Sequence, residues 1–233
     1  MGYKNIFDII RETTEGVVTP HDISKYSDTN EFVFSCEEML RKVHSIAKND
    51  VEDFIYTYVE EPDSVMHALG VEHEYVKENI RYINSLVCEL AGVLDDSLII
   101  VMADHGLIDT TTLYLEDYPK IQEMLVRRPS IESRAVNLYV KDEYKKVFAK
   151  EFNKAFGKDF LLLTKEQILD KKLFGNGQKN PRIDDVVGDY MAFGISDKAL
   201  EWEKGGFLLE ARHAGLTKEE MEVPLFIIDT NKL

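Results

Sequence analysis

The apolar positions of this chain fall into runs that read as helices and strands in alternation. Residues 3–14 put Ile6, Ile9 and Ile10 on one side of a short amphipathic helix, and a polar, turn-rich stretch follows as far as Asn30. From Cys36 to Asn49 the spacing is again helical, with Met39, Leu40, Val43 and Ile46 on one face. Asp53–Val59 is β-branched and aromatic, as a strand prefers, and Glu60-Glu61-Pro62-Asp63 closes it. Between Glu72 and Leu94 the residues Val76, Ile80, Ile83, Val87, Leu90 and Leu94 step by threes and fours, the stripe of a long amphipathic helix. The apolar run Leu98–Met102 then reads as a buried strand of a mostly parallel sheet, and it stops abruptly at Ala103-Asp104-His105-Gly106. Strand, helix and strand in this order predict a βαβ unit with parallel strands, and Asp63 and Asp104 at one edge of the sheet.

After Gly106 the texture changes. The pattern predicts a strand at Ala135–Val140, a charged helix at Asp142–Phe156 and a short strand at Phe160–Leu163. Thr164 and Gln167 then have the spacing of a capping box that opens a helix. A Gly/Asn/Lys-rich loop covers Gly175–Asn180, and a further strand runs near Tyr190–Ile195. These elements are not strung as βαβ repeats. Residues 107–201 are therefore expected to form a small α+β subdomain, inserted into a core built from residues 1–106 and 202–233. The core pattern returns from Gly205, with Phe207–Leu209, the turn Arg212-His213-Ala214-Gly215, a second capping box Thr217-x-x-Glu220, and the apolar strand run Val223–Ile228. The fold class this predicts is α/β: a mostly parallel sheet flanked by helices, with the α+β insert.

Composition narrows the partners. A chain of 233 residues with 44% hydrophobic content can bury a substantial core, which excludes a disordered protein. Lys and Arg total 28 against 43 Asp and Glu, a formal charge of −15 with no concentrated basic patch. Neither a nucleic-acid backbone nor an anionic membrane is expected as a main partner. Cys36 and Cys88 stand far apart, so no disulfide framework or cysteine zinc site is implied. The first residues lack the apolar core of a signal peptide and no window reaches the length of a membrane span, so a cytoplasmic location is expected.

Ligands of open α/β sheets bind just beyond the carboxyl ends of the strands, and three of the six histidines fall at such places. Asp63 and His67 follow the first core strand as Asp-x-x-x-His, Asp104 and His105 end the second, and His213 lies in the turn before the last. Each has an ordinary explanation taken singly. Asp63 can cap a helix that begins at Ser64, Asp104 can bond the backbone amides of a strand-end turn, and a lone His213 can simply fill space. Taken together, at compatible strand ends, two Asp and three His form a donor set for zinc or manganese. Calcium and magnesium would ask for more oxygen ligands. His21, His44 and His73 lie in a turn or on helices and are read as structural or solvent-exposed.

Three segments carry a more specific signal: Glu61-Pro62-Asp63-Ser64-x-x-His67, Ala103-Asp104-His105-Gly106, and His213-Ala-Gly-Leu-Thr-x-Glu-Glu-Met-x-Val-Pro-Leu. In this order they resemble the type I phosphodiesterase/nucleotide pyrophosphatase branch of the alkaline phosphatase superfamily, and the insertion is similar to that branch's small α+β insert. The resemblance implies a partial alkaline-phosphatase-like core and, in the complete enzyme, two divalent metal ions, zinc first and manganese as the alternative. Asp63, His67 and His213 would hold one ion, and Asp104 and His105 would be two ligands of the other. The implied reaction is hydrolysis of phosphodiester or pyrophosphate bonds in a phosphate-ester or nucleotide substrate.

The chain also departs from the family pattern. Members open with a buried strand ending in an Asp that completes the second metal site, followed by a Thr or Ser nucleophile at a helix N-terminus. The first 50 residues contain no such strand; the extended-looking run Glu31–Phe34 leads instead to Ser35 and Cys36, and Thr13, Thr14 and Thr19 stand in helix-end or turn contexts. The expectation is a C-terminal part of such an enzyme, without the nucleophile and inactive alone. Its exposed sheet edge would then be open to self-association or to a partner chain. The competing readings are a phosphomonoesterase, phosphomutase or sulfatase of the same superfamily, or a non-catalytic, metal-stabilised interaction module.

Overall fold

The structure is a computed structural model that describes residues 4–24, 35–49, 51–206 and 208–232. Its elements run α1 (Ile6–Thr13), β1 (Thr19–Ser24), α2 (Cys36–Ile46), β2 (Asp53–Tyr58), α3 (Asp63–Leu69), α4 (Glu74–Val93) and β3 (Leu98–Met102). There follow β4 (Ile108–Asp109), β5 (Thr111–Tyr114), α5 (Pro119–Met124), β6 (Ser130–Glu132), β7 (Ala135–Leu138) and α6 (Lys145–Phe156). The last are β8 (Phe160–Thr164), α7 (Lys165–Asp170), α8 (Ile183–Val186), β9 (Tyr190–Gly194), β10 (Lys198–Glu201), β11 (Ala211–Arg212), α9 (Lys218–Met221) and β12 (Leu225–Asp229). The chain divides into two compact units. The first is Met1–Ser64, Glu74–Met102 and Leu225–Leu233; the second is Val65–His73 and Ala103–Pro224.

In the first unit, side-chain caps start two of the helices. Asn5 and Asp8 satisfy each other's backbone amides at the head of α1, and the Ser35 hydroxyl accepts the Glu38 amide at 3.1 Å at the head of α2. Met39 and Val43 of α2 pack with Leu90 of α4, with Leu94 just beyond it, and with Ile23 of β1. The α4 stripe predicted from the sequence is therefore covered toward both ends, at Val76 and at Leu90 with Leu94, whereas Ile80 is exposed.

β1 pairs in parallel with β2, from Thr19 opposite Asp53 to Ser24 opposite Tyr58. The sequence reads this segment as turn-rich, because Ile23 is its only large apolar residue. Pairing makes the strand, since Ile23 is fully buried and the His21 ring meets the Asp53 carboxylate at 2.9 Å. His21 is thus a cross-strand partner and not a turn residue. The extended-looking run Glu31–Phe34 lies outside the described residues, as does Phe207.

β3 corrects a second expectation. It pairs antiparallel with β12, with Ile100 opposite Ile227 and Met102 opposite Leu225, and all four side chains are exposed, Met102 by 65%. Among the described residues β2 bonds to β1 and β3 to β12, so parallel pairing in this unit is confined to β1 and β2. An unbroken apolar run reports that both faces of a strand are apolar; it does not report that both are covered.

The second unit is built on α6. Phe148, Phe152 and Phe156 recur every fourth residue and are fully buried, which is the stripe a helix must turn to a core. They share one cluster with Val136 and Leu138 of β7, Phe160 of β8 and Ala192 of β9. Those strands belong to the antiparallel sheet β6-β7-β9-β8, in which Val136 and Leu162 both face Ala192 across the ladder. The Thr164–Gln167 capping box forms as the spacing predicts and opens α7. Two small ladders complete the unit: β5 with β10 in parallel, and β4 with β11 antiparallel. Among the described residues no helix is long and apolar enough to cross a membrane.

Candidate metal centre

Asp63 is the first residue of α3, not a cap before it, and His67 follows one turn later on the same helical face. The His67 ring is held from behind: its Nδ1 lies 2.7 Å from the Ala211 carbonyl, and the His67 carbonyl accepts the Glu210 amide at 2.8 Å. A carbonyl acceptor at Nδ1 puts the proton on that nitrogen and makes Nε2 the coordinating one. Metal-binding histidines are commonly oriented in this way.

The second unit then gathers three imidazoles from distant parts of the chain. The His67 and His213 ring centres are 5.2 Å apart, and the His105 and His213 rings stack at 3.9 Å with 23° between their planes. Donor nitrogens of His105 and His213 lie within 4.8 Å of each other. Asp104 is more exposed; its carboxylate accepts the His105 amide at 3.1 Å and lies 3.7 Å from the His105 Nε2. The strand-end turn considered for Asp104 is thus present, in addition to its place beside an imidazole. The resemblance assigns His105 and His213 to different ions, and their stacking sets the two ligand groups side by side. Nitrogen-rich donors with carboxylates alongside fit zinc or manganese better than calcium or magnesium.

Two tight backbone features hold these histidines in place. The Gly106 amide donates to the Glu220 carbonyl at 2.9 Å, and a Cβ on Gly106 would stand 2.0 Å from the Glu219 carbonyl oxygen. Only glycine fits there. Gly106→Ala is expected to cost about 1–3 kcal/mol through overpacking and to displace His105. A thermal melt combined with a zinc titration checks both effects. At the other histidine, Ala214 has φ +77°, a left-handed conformation that costs a residue with a Cβ about 1–2 kcal/mol. Hydrogen bonds on the following residues hold the turn: the Gly215 amide to Glu220 Oε1 at 2.8 Å, and the Leu216 amide to the Gly194 carbonyl at 2.7 Å.

Arg134, and the pairing of Glu220 with it, could not be read from the sequence. Glu220 serves the capping box as expected, but it is also almost fully buried against the guanidinium of Arg134, itself inaccessible to solvent. Burial alone would raise the Glu220 carboxyl; the Arg134 guanidinium, Thr217 and the Gly215 amide outweigh it and hold the group below its ordinary 4.5. The sign for stability follows. A depressed carboxylate contributes fully above about pH 4.5, and that contribution is lost as pH falls through the folded value. Melting temperature should therefore drop more steeply below pH 4.5 in the natural chain than in Glu220→Gln; parallel slopes would remove Glu220 from the acid response.

The class that the structure defines is an α/β fold with imidazoles and carboxylates just beyond its strand ends. The chain belongs to the type I phosphodiesterase/nucleotide pyrophosphatase family, whose model matches residues 12–199. The fold is similar to that of murine ectonucleotide pyrophosphatase/phosphodiesterase 5, with a TM-score of 0.66 and 16% identity over 94% of this chain and 61% of that one. The human protein of the same name gives 0.65 and 13%, over 94% and 62%. Phosphonoacetate hydrolase from Sinorhizobium meliloti 1021, solved with phosphonoformate, gives 0.56 and 16%, over 82% and 49%. The chain thus spans about three-fifths of the length of the first two. No curated protein matches it in sequence.

Proposed function

We propose that this chain carries the metal-holding part of an enzyme that hydrolyses phosphodiester or pyrophosphate bonds of nucleotides. The observation that carries the reading is the convergence of His67, His105 and His213, one from each family motif, into a single cluster of rings. Asp63, His67 and His213 would hold one divalent ion, and Asp104 and His105 would provide ligands to a second, with zinc favoured and manganese the alternative. Such ions, when bound, supply Lewis-acid stabilisation of phosphoryl oxygens and activate an oxygen nucleophile.

The chain's own residues set the geometry. The Ala211 carbonyl fixes the His67 ring, and the Gly106–Glu220 contact fixes the loop that carries His105. Among the described residues none is assigned as the covalent nucleophile: Thr14 closes the C-terminal end of α1, and Thr19 heads β1. The chain alone is accordingly expected to bind a nucleotide without turning it over efficiently. An inactive variant of the murine relative was solved in complex with AMP, which supports a nucleotide as the ligand class.

Calorimetric titration of AMP into the chain, with zinc and then with an excess of chelator, tests the reading. Binding should require the metal. AMP binding that is unchanged by the chelator, or absent in both conditions, would count against it.

A further inference from the structure

We propose that the buried Arg134–Glu220 ion pair is a positioning device for His105 and His213, setting the metal affinity of the centre without touching the ion. The inference rests on the metal-binding reading above and extends it to Arg134, which no motif marks, and to a role of Glu220 beyond its capping box.

The geometry is a fork. Arg134 Nε donates to Glu220 Oε1 and Nη2 to Oε2, both at 2.6 Å, while Nη1 donates to the Lys198 carbonyl at 2.6 Å. Arg134 is anchored to the four-stranded sheet by its own carbonyl, which accepts the Gly194 amide at 2.8 Å. Glu220 passes that anchor on in two directions. Its carboxylate accepts the Gly215 amide at 2.8 Å and the Thr217 hydroxyl at 2.8 Å, which fixes the turn that carries His213 and the strained Ala214. Its carbonyl accepts the Gly106 amide at 2.9 Å, one residue beyond His105. One residue therefore sets the backbone beside both stacked histidines.

The fit is close enough that a Cβ on Gly215 would stand 2.5 Å from Arg134 Nη2 and from Glu220 Oε2. A buried ion pair is poor value as a stabiliser, because removing two charges from water offsets most of their attraction. A charged fork does, however, impose direction in a way that an apolar contact cannot. Partners behind the ligands of a metal typically change its affinity tenfold to a hundredfold when they are removed.

The experiment is a zinc titration of the intact chain, paired with the visible absorption spectrum of the cobalt-loaded form, which reports ligand geometry. Glu220→Gln is expected to weaken zinc binding by roughly ten- to a hundredfold and to alter the cobalt spectrum. Arg134→Lys, which keeps the charge and loses the fork, should fall between it and the natural chain. Thr217→Val removes one hydrogen bond to the carboxylate, leaves the ion pair, and decides the matter if Glu220→Gln does not fold; roughly fivefold weaker binding is expected. A purely structural pair would lower the melting temperature and leave affinity and spectrum unchanged, and that result overturns the proposal. Failure of the natural chain to bind zinc would instead overturn the metal reading on which it rests.

Discussion

Replacing His213 by alanine should weaken zinc binding by about a hundredfold. Four-ligand protein zinc sites bind with roughly 10–16 kcal/mol, so one ligand accounts for about 3 kcal/mol, which corresponds to that factor. His213 is the choice because its ring lies between the other two, 5.2 Å from His67 and 3.9 Å from His105. Whichever ion is considered, removing this ring disturbs its neighbours. His44→Ala, on α2 in the other unit, is the control and should bind as the natural chain does. Calorimetry on the two variants separates a specific ligand from a general affinity of histidines for zinc.

The largest effect on stability is expected at Phe152. It is fully buried on α6 between Phe148 and Phe156, with ring centres 5.7 and 5.0 Å away. Phe152→Ala removes a whole ring from the centre of the second unit and leaves a cavity that helix and sheet cannot both close. The cost should be about 3–5 kcal/mol, or roughly 10 °C in melting temperature for a body of this size. Leu161 of β8, 41% exposed, is the comparison; alanine there should cost well under half as much. Circular-dichroism melts of the two variants give the ratio. Similar losses would mean that α6 is not the organiser of this unit.

The sequence made some of this architecture legible and hid the rest for physical reasons. Local signals survive into the structure: the stripe of α4, the phenylalanines of α6 and both capping boxes depend on neighbours three or four residues away, which the sequence displays directly. β1 was hidden because its stability comes from Asp53 and the rest of β2, more than 30 residues further on. The two-residue strands β4 and β11 have no periodicity to read.

The candidate site divides in the same way. Its histidines stood out through motif and chemistry, whereas Arg134 sits in a plain Ser-Arg-Ala context and is defined by Glu220, 86 residues away. The exposed face of β3 and β12 is a different case. Its apolar pattern was correctly seen, but what covers a strand is decided by other elements. Leu98, Ile100 and Met102 carry no record of that.

The central claim is that these strand ends hold divalent metal, and elemental analysis of the intact chain tests it most directly. The chain is equilibrated with zinc and desalted, and its metal content is measured before and after chelation. The account predicts at least one tightly held ion per chain, removed by chelator and missing from His213→Ala. A desalted natural chain without metal, or a variant that retains as much as the natural chain, would contradict it.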